Sequence, residues 1–168
     1  METARLLLRP SDRDDAHQAF RISSDWEVTR NLSAAAFPPV LSDLETWFDE
    51  HPREWTEGKA YRFAVLHRGA MIGLADLDRV SDTEAELGYW LGVTWWGHGY
   101  ATEAAGALIQ FAWGALGLAR LKAGHAADNP ASGRLLVKLG FQCITETEVY
   151  SRPRDCKIRA LKYALDRN

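Results

Sequence analysis

The sequence predicts an α/β protein with a mixed central sheet of about seven strands and helices on both faces. Near each end of the chain, apolar segments with strand-like alternation follow one another across short turns, as antiparallel strands do. Between them lie a buried strand, a long helix and a further strand, which is the pattern of a parallel β-α-β unit. The chain has 168 residues without a repeat or linker, so residues 1–168 are predicted to form a single domain.

The first half of the chain is predicted to form two helices and three strands. Ser11 or Asp12 caps a helix that extends to about Ser23, with acidic residues in its first turn. Residues 42–45 read Ser-Asp-Leu-Glu, a capping box that predicts the start of a second helix, kinked or broken at Pro52. The strands are predicted at 4–10, 61–68 and 71–80, and a hairpin turn joins the last two.

The second half is predicted to form two helices and four strands. One helix begins at Tyr100, and Gly117 suits its C-terminal cap. Asn129 caps the other helix, which has Pro130 at its first position and ends at Gly140. The strands are predicted at 85–92, 120–126, 141–150 and 157–165.

Composition and charge exclude several classes of function. The formal net charge is −3, whereas a general nucleic-acid binder has a basic balance, so no nucleic-acid partner is expected. The acidic balance favours a cationic partner only slightly. No apolar run approaches the roughly 20 residues of a membrane span, and the N-terminus lacks the apolar region of a signal peptide. We therefore expect a cytoplasmic protein with no membrane partner.

Cysteine and histidine spacing gives no support to a metal site. Cys143 and Cys156 fall outside the known zinc spacings, and the five histidines show no ligand-like spacing. We expect no metal, and we expect both cysteines to be thiols, as is usual in the cytosol.

Residues 95–102 form the most informative stretch of the sequence. They read Trp-Trp-Gly-His-Gly-Tyr-Ala-Thr and join the strand at 85–92 to the helix after it. The first backbone N–H groups of a helix have no partner within it and form the positive end of its dipole. Gly97 and Gly99 remove side chains that would block a ligand, and no acid occurs before Glu103. The turn is therefore predicted to bind an anion, and a phosphate suits it best.

Two common phosphate-binding patterns do not fit this turn. The dinucleotide fingerprint needs Gly or Ala where Thr102 stands, and an acid about 20 residues later, which the region 119–126 lacks. The P-loop pattern needs a Gly-Lys-Ser/Thr sequence, which is absent. A third pattern fits, because residues 96–101 resemble the pyrophosphate-binding loop of the GNAT superfamily of N-acetyltransferases, Gln/Arg-x-x-Gly-x-Gly/Ala. Trp96 replaces the usual Gln or Arg, and this departure resembles the ribosomal-protein N-acetyltransferase (RimJ/RimL-like) branch.

The resemblance covers nearly the whole chain. Residues 4–10 resemble the first strand of the family, and residues 85–92 resemble its fourth. Residues 129–141 resemble its Asn-x-x-Ser…Lys-Leu-Gly-Phe segment. These segments occur in the order and spacing of the family, so the match is specific to the family but not to a substrate.

The resemblance implies an acetyl-CoA-dependent N-acetyltransferase that transfers the acetyl group to a primary amine by direct attack in a ternary complex. Acetyl-CoA is then the acetyl donor. Its pantetheine arm would lie beside the fourth strand, where a local bulge at a glycine is expected, and its pyrophosphate would lie on the glycine turn. The CoA-binding residues that the resemblance implies are Leu91, Gly92, Val93, Gly97, His98, Gly99, Tyr100, Ala101, Thr102, Asn129 and Ser132.

Glu86 and Ser132 are the predicted catalytic residues. Glu86 lies in a mostly apolar strand, where many family members have a base or a water-holding residue, and a salt bridge with an arginine is the alternative explanation. Alternation places Glu86 on one face with Gly88 and Trp90. The usual general acid of the family is a Tyr at the position that Leu136 occupies here. The resemblance assigns the role to Ser132 instead, with a surface serine in the first helical turn as the alternative.

The sequence leaves the acceptor and the oligomeric state open. The acceptor is either a protein N-terminus or a small amine. Trp26, Trp47 and Trp55 lie in the segment that shapes the acceptor site in this family, although large aromatic residues belong to the core first. A non-catalytic acyl-CoA-binding or sensor module is the alternative function, and a nucleotide-binding protein is a weaker one. A homodimer formed through the apolar last strand, 157–165, is a further hypothesis.

Overall fold

The computed structural model describes residues 1–167, and these residues form seven strands in one sheet. The strands are β1 (Leu7–Pro10), β2 (Tyr61–His67), β3 (Ala70–Asp78), β4 (Glu84–Leu91), β5 (Arg120–Ala126), β6 (Gln142–Ser151) and β7 (Cys156–Asp166). Their order across the sheet is β1-β2-β3-β4-β5-β7-β6. β4 and β5 are parallel and all the other neighbouring strands are antiparallel. The predicted mixed sheet is confirmed.

Helices cover both faces of the sheet, as predicted. They are α1 (Ala16–Ser23), α2 (Trp26–Thr29), α3 (Leu41–Thr56), α4 (Tyr100–Gly114) and α5 (Pro130–Lys138). α1 and α3 pack on Ala64 and Leu74, whereas α4 packs on the adjacent residues Val65 and Ala75. Because neighbouring side chains of a strand point to opposite faces, α4 lies on the face opposite α1 and α3. None of the helices within residues 1–167 is long and apolar enough to cross a membrane.

Local sequence signals correctly placed most element boundaries. Asp12 accepts the N–H of Asp14 and caps the turn that leads into α1. Asn129 caps α5, where its Oδ1 accepts the N–H of Ser132 at 3.2 Å. The β2–β3 hairpin has a two-residue turn at 68–69, in which both residues have positive φ, 51° and 82°. The four-residue helix α2 was not predicted.

Two local predictions are wrong, and a third is wrong in part. α3 begins at Leu41 without a side-chain cap, so residues 42–45 lie inside the helix rather than at its start. α3 continues through Pro52, so the predicted break there is wrong, whereas a kink at Pro52 stays a prediction. α4 ends at Gly114, so Gly117, with a φ of 68°, lies in the following loop.

β7 is not an edge strand. It lies between β5 and β6 and pairs with both along its length. A homodimer formed by strand pairing through residues 157–165 is therefore wrong, because the backbone groups of β7 already have partners. A homodimer in which this strand packs across a two-fold axis stays a prediction. The edge strand at this end of the sheet is β6.

β4 and β5 pair over a short stretch and then separate. Their register joins only Glu84–Arg120, Ala85–Leu121 and Glu86–Lys122 within the described residues. Beyond this point β4 stays paired with β3 to Leu91, while β5 stays paired with β7 to Ala126. The strands therefore open a gap in the middle of the sheet. The predicted bulge at Gly92 is wrong, since the β3–β4 register is continuous and Gly92 has an ordinary φ of −59°.

A histidine is buried beneath α3. His51 is 3% exposed, and its Nδ1 lies 2.8 Å from the Oγ of Ser11. The Ser11 hydroxyl also donates to the carbonyl oxygen of Arg62 at 3.1 Å. A hydroxyl has one proton, so Nδ1 of His51 is the donor, and its Nε2 is buried without a partner among residues 1–167. Burial and the nearby charge of Arg62 lower the pKa of His51 to about 3.

We predict that His51 makes the stability of the fold depend on pH. The residue titrates near pH 6.5 in the unfolded chain but stays neutral to about pH 3 in the folded one. Its contribution is fully present above pH 6.5 and is lost as the pH falls towards 3, by a few kcal/mol in order of magnitude. His51→Asn retains a donor near the Nδ1 position and does not titrate. Its urea midpoint should fall less than that of the wild type between about pH 7 and about pH 5; equal falls would contradict the assignment.

Candidate active site

Two cavities lie on opposite faces of the sheet and meet at the gap between β4 and β5. One, of about 540 Å³, lies beneath α3 and the loop at 31–40, and we call it the α3-side cavity. The other, of about 530 Å³, lies between the turn at 95–102 and α5, and we call it the α5-side cavity. Both are lined by Asn31, Leu32, Leu87, Gly88, Tyr89, Trp90 and Gly124. A ligand in one cavity therefore meets a ligand in the other through the sheet.

The turn at 95–102 presents free backbone N–H groups to the α5-side cavity. Gly97 and Gly99 have positive φ angles of 78° and 80°, which glycine adopts without strain. The first N–H bonded within α4 is that of Glu103, 3.0 Å from the carbonyl oxygen of Gly99. The N–H groups of residues 100–102 are therefore available to an anion. The predicted residues Gly97, Gly99, Tyr100, Ala101 and Thr102 line this cavity, and His98 is exposed beside them.

Arg5 fixes the shape and charge of this turn. Its Nη1 donates to the carbonyl oxygen of His98 at 2.9 Å, and its guanidinium lies 4.5 Å from the centre of the Tyr100 ring. Arg5 also forms a salt bridge of 2.7 Å with Glu103, the acid nearest the turn. Burial opposes ionisation of Glu103, but hydrogen bonds from Thr3 and Arg5 outweigh it and lower its pKa. The carboxylate is thus neutralised, so the turn remains suited to an anion.

The end of β4 offers one free backbone donor to the gap. The carbonyl oxygen of Leu91 accepts the indole N–H of Trp96 at 2.8 Å. The N–H of Gly92 bonds to the carbonyl oxygen of Ile72 on β3 at 2.9 Å. Because the backbone groups of successive residues point to opposite edges of a strand, the N–H of Leu91 points towards the gap. Val93 follows on an exposed turn at 93–95.

Ser132 lies in the first turn of α5 and bonds to a tyrosine across the gap. Its Oγ is 2.7 Å from the hydroxyl of Tyr89 on β4. Burial raises the pKa of Tyr89 to about 12, so its phenol keeps its proton at neutral pH. Asn129 lines the α5-side cavity, and its Oδ1 is used for the helix cap while its amide N–H groups have no partner within residues 1–167. Leu136, at the position of the missing tyrosine, is fully buried in the core.

Glu86 lies in the α3-side cavity. It forms a salt bridge with an arginine, which was the predicted alternative to a catalytic role. Its Oε2 is 2.7 Å from Nη1 of Arg79, and its Oε1 is 4.0 Å from Nζ of Lys162. The side chain of Arg79 is 78% exposed, so this ion pair is easily broken by a ligand. The pairing is compatible with a catalytic role as well as with a structural one.

Arg62 is the buried cation of the α3-side cavity. Its side chain is only 6% exposed and forms salt bridges with Glu54 at 2.8 Å, Asp76 at 3.2 Å and Asp78 at 3.4 Å. Its guanidinium also lies 5.1 Å from the ring centre of Trp47. One guanidinium therefore connects α3, β2 and β3 beneath the cavity.

Four of the tryptophans lie in different surroundings, and Trp26 is exposed. Trp47 and Trp90 line the α3-side cavity. Trp26 instead packs on Phe37, and Trp55 packs with Phe63 in the core. Within residues 1–167 no three potential metal ligands cluster together.

Sequence reasoning missed several residues of this site. The sequence pattern could have pointed to Tyr89, because a phenol in an apolar strand needs a partner for its hydroxyl. Asp76 had the same signal as Glu86, because it is a carboxylate inside a mostly apolar strand. No sequence pattern points to Arg5 or Arg62, because their partners lie far away in the chain, as Glu103 does from Arg5.

Comparisons with known proteins agree with this architecture. A family model described as acetyltransferase (GNAT) domain matches residues 5–142. The chain is 33% identical over 146 residues to the uncharacterized N-acetyltransferase p20 of Bacillus licheniformis, covering 83% of this chain and 80% of that protein. It is 31% identical over 149 residues to the uncharacterized N-acetyltransferase YoaA of Bacillus subtilis (strain 168), covering 84% and 82%. The RimL ribosomal L7/L12 α-N-protein acetyltransferase in complex with coenzyme A has a similar fold, with a TM-score of 0.86 at 17% identity over 98% of this chain and 95% of that one.

Proposed function

This chain belongs to the acetyltransferase (GNAT) family, and we propose that it transfers the acetyl group of acetyl-CoA to a primary amine by direct attack. The observation that supports this reaction is the meeting of two cavities through the gap between β4 and β5. Acetyl-CoA would occupy the α5-side cavity and the amine the α3-side cavity. Holding both substrates at one opening accounts for much of the rate of such a reaction.

The residues of the α5-side cavity fit acetyl-CoA. Free N–H groups at 100–102 suit the pyrophosphate, and side chains at Gly97 and Gly99 would lie in its path. The N–H of Leu91 and the amide of Asn129 suit the polar groups of the pantetheine arm. No metal is needed for this binding.

The transfer requires one bond to form and one to break. The amine nitrogen attacks the thioester carbonyl carbon, the C–S bond breaks, and CoA leaves as a thiolate. A backbone N–H at the gap, that of Leu91 or Tyr89, is the donor for the charge that develops on the carbonyl oxygen. The attacking nitrogen loses one N–H proton in this step, and the thiolate gains one through the hydroxyl of Ser132. The Ser132 and Tyr89 hydroxyls, 2.7 Å apart, pass on the proton that the nitrogen releases, so that neither is left ionised.

Glu86 is proposed as the base that takes the proton of the amine, directly or through water. It lies on the acceptor side of β4, and its partner Arg79 is exposed enough to release it. A protein N-terminus and a small amine both remain acceptors of the right chemistry. We place the enzyme in the cytoplasm, where thiols such as the exposed Cys143 and Cys156 stay reduced.

An acetylation screen tests the function. The purified chain would be incubated with acetyl-CoA and a panel of alanyl and seryl peptide amides, alkylamines and benzylamine, and free CoA would be measured with a thiol reagent. We expect CoA release that depends on one class of acceptor. CoA binding without transfer to any acceptor would contradict the enzyme and favour the non-catalytic acyl-CoA sensor.

We predict that Gly99→Glu weakens CoA binding at least about tenfold, because it adds bulk and negative charge at a helix N-terminus. Gly69→Glu is the matched control. Gly69 has a φ of 82°, close to the 80° of Gly99, but lies in the open β2–β3 turn. Both variants therefore introduce the same backbone strain, and only Gly99→Glu places a side chain in the proposed CoA site. Calorimetric titration with CoA should separate the two variants. Equal CoA affinity of the two variants would show that the turn at 95–102 does not bind CoA.

We predict that Glu86→Gln lowers turnover at neutral pH by about 10²-fold, since the variant keeps the size of the side chain but not its basicity. Turnover should recover partly at high pH, as the free amine becomes abundant, and CoA affinity should stay nearly unchanged. Glu84→Gln is the control, because Glu84 lies on the same strand but is bound to Lys122 outside the cavity. Full activity of Glu86→Gln at neutral pH would refute the role as base.

A further inference from the structure

We propose that Asp76 binds the acceptor as its ammonium ion, and that this contact restricts the enzyme to cationic primary amines. The inference rests on the proposed function and adds the charge of the acceptor and the residue that recognises it. Asp76 is distinct from Glu86, which takes the proton after the ammonium is bound.

The carboxylate of Asp76 lies at the meeting point of the two cavities. Asp76 is paired with Gly88 in the β3–β4 register, and Gly88 lines both cavities. A Cβ atom on Gly88 would lie 2.3 Å from Oδ1 of Asp76, so the carboxylate occupies the space that a side chain on β4 would take. An ammonium ion held at Oδ1 would therefore lie beside the opening through which the acetyl group arrives.

One oxygen of this carboxylate is free to bind a ligand. Oδ2 of Asp76 accepts Nη1 of Arg62 at 3.2 Å. Oδ1 has no hydrogen-bond donor among residues 1–167, although Asp76 lines the α3-side cavity. A carboxylate oxygen that faces a cavity without a donor is a ready acceptor for an N–H group of a ligand.

The surrounding charges leave Asp76 only partly neutralised. Arg62 divides its guanidinium among Glu54 of α3, Asp76 and Asp78, so one positive charge faces three carboxylates. From β4, Glu86 faces the same region with its own partner, Arg79. On the far side, Lys162 of β7 lies 4.0 Å from Glu86, and the cavity is also lined by Asp43 and Arg152. The ammonium group of a ligand would neutralise the negative charge of Asp76 that Arg62 leaves uncompensated.

The cavity suits an ammonium ion with an apolar substituent. Trp47 and Trp90 line it, and so do Leu44 and the small residues of the loop at 34–36. Aromatic faces attract a cation as well as apolar groups. A neutral molecule of the same shape would meet the apolar surface but would leave the carboxylate without a partner.

The ionisation of Asp76 sets the pH range of this binding. Burial raises the pKa of Asp76 to about 6; Arg62 opposes the rise, while Asp78 and Glu86 add to it. The carboxylate is therefore ionised at neutral pH and becomes protonated as the pH falls through about 6. Ammonium binding should weaken over the same range, although the amine itself stays charged.

Binding of ammonium probes to the CoA complex tests the proposal without requiring turnover. The probes are butylammonium, benzylammonium and alanine amide, each compared with its neutral analogue, butanol, benzyl alcohol or propionamide. We expect at least one ammonium probe to bind at least about tenfold more tightly than its analogue at neutral pH, and Asp76→Asn to remove that preference. Asp82→Asn, an exposed carboxylate in the β3–β4 turn, is the control and should retain it. A wild-type protein without preference for any ammonium probe would overturn the proposal, as would a preference that survives in Asp76→Asn.

The pH dependence separates charge recognition from a structural role of Asp76. Asp78 raises the pKa of Asp76, so Asp78→Asn should move the midpoint of ammonium binding to lower pH while CoA affinity stays unchanged. An unmoved midpoint in folded Asp78→Asn would contradict the assignment. The binding experiment and the acetylation screen can fail independently. Ammonium binding without acetyl transfer would refute the proposed reaction. Acetyl transfer at the same rate in the wild type and in Asp76→Asn would refute only this inference.

Discussion

The short parallel pairing between β4 and β5 is the constraint on which the rest of the site depends. After Glu86–Lys122 the two strands follow different partners, β4 with β3 and β5 with β7. Each strand keeps a full ladder on its outer side, so the gap costs only the hydrogen bonds between the two strands. The N–H groups of β4 that point into the gap have no partner on β5, and the opening joins two faces that a continuous sheet would keep apart.

The two faces next to this gap present different polar groups to a ligand. On the α5 side, Gly97 and Gly99 expose the N–H groups of α4, and Arg5 neutralises the nearest carboxylate, Glu103. On the α3 side, Arg62 lies beneath several carboxylates that outnumber it. The proposed transfer needs an anionic, phosphate-bearing donor on the α5 side and an amine on the α3 side.

Arg62 also links stability to the acceptor side. It is buried between α3 and the sheet, where a lone charge would be costly, and its carboxylate partners offset that cost. The same charge opposes protonation of His51 on α3. The groups that hold α3 on the sheet therefore also determine the charge of the cavity that α3 covers.

Features that depend on local spacing could be predicted from the order of the amino acids. The alternation of β4, the glycine turn before α4 and the Asn129 cap of α5 each arise within a few residues, and the order of elements followed from them. The resemblance of residues 96–101 to the pyrophosphate-binding loop of the GNAT superfamily also predicted the family. The contacts between distant residues became visible only in the folded chain: Tyr89 with Ser132, Arg62 with Asp76, and Arg5 with Glu103. These pairs join segments far apart in the chain, and no local pattern specifies them, because they exist only once the strands have taken their order and β4 has separated from β5.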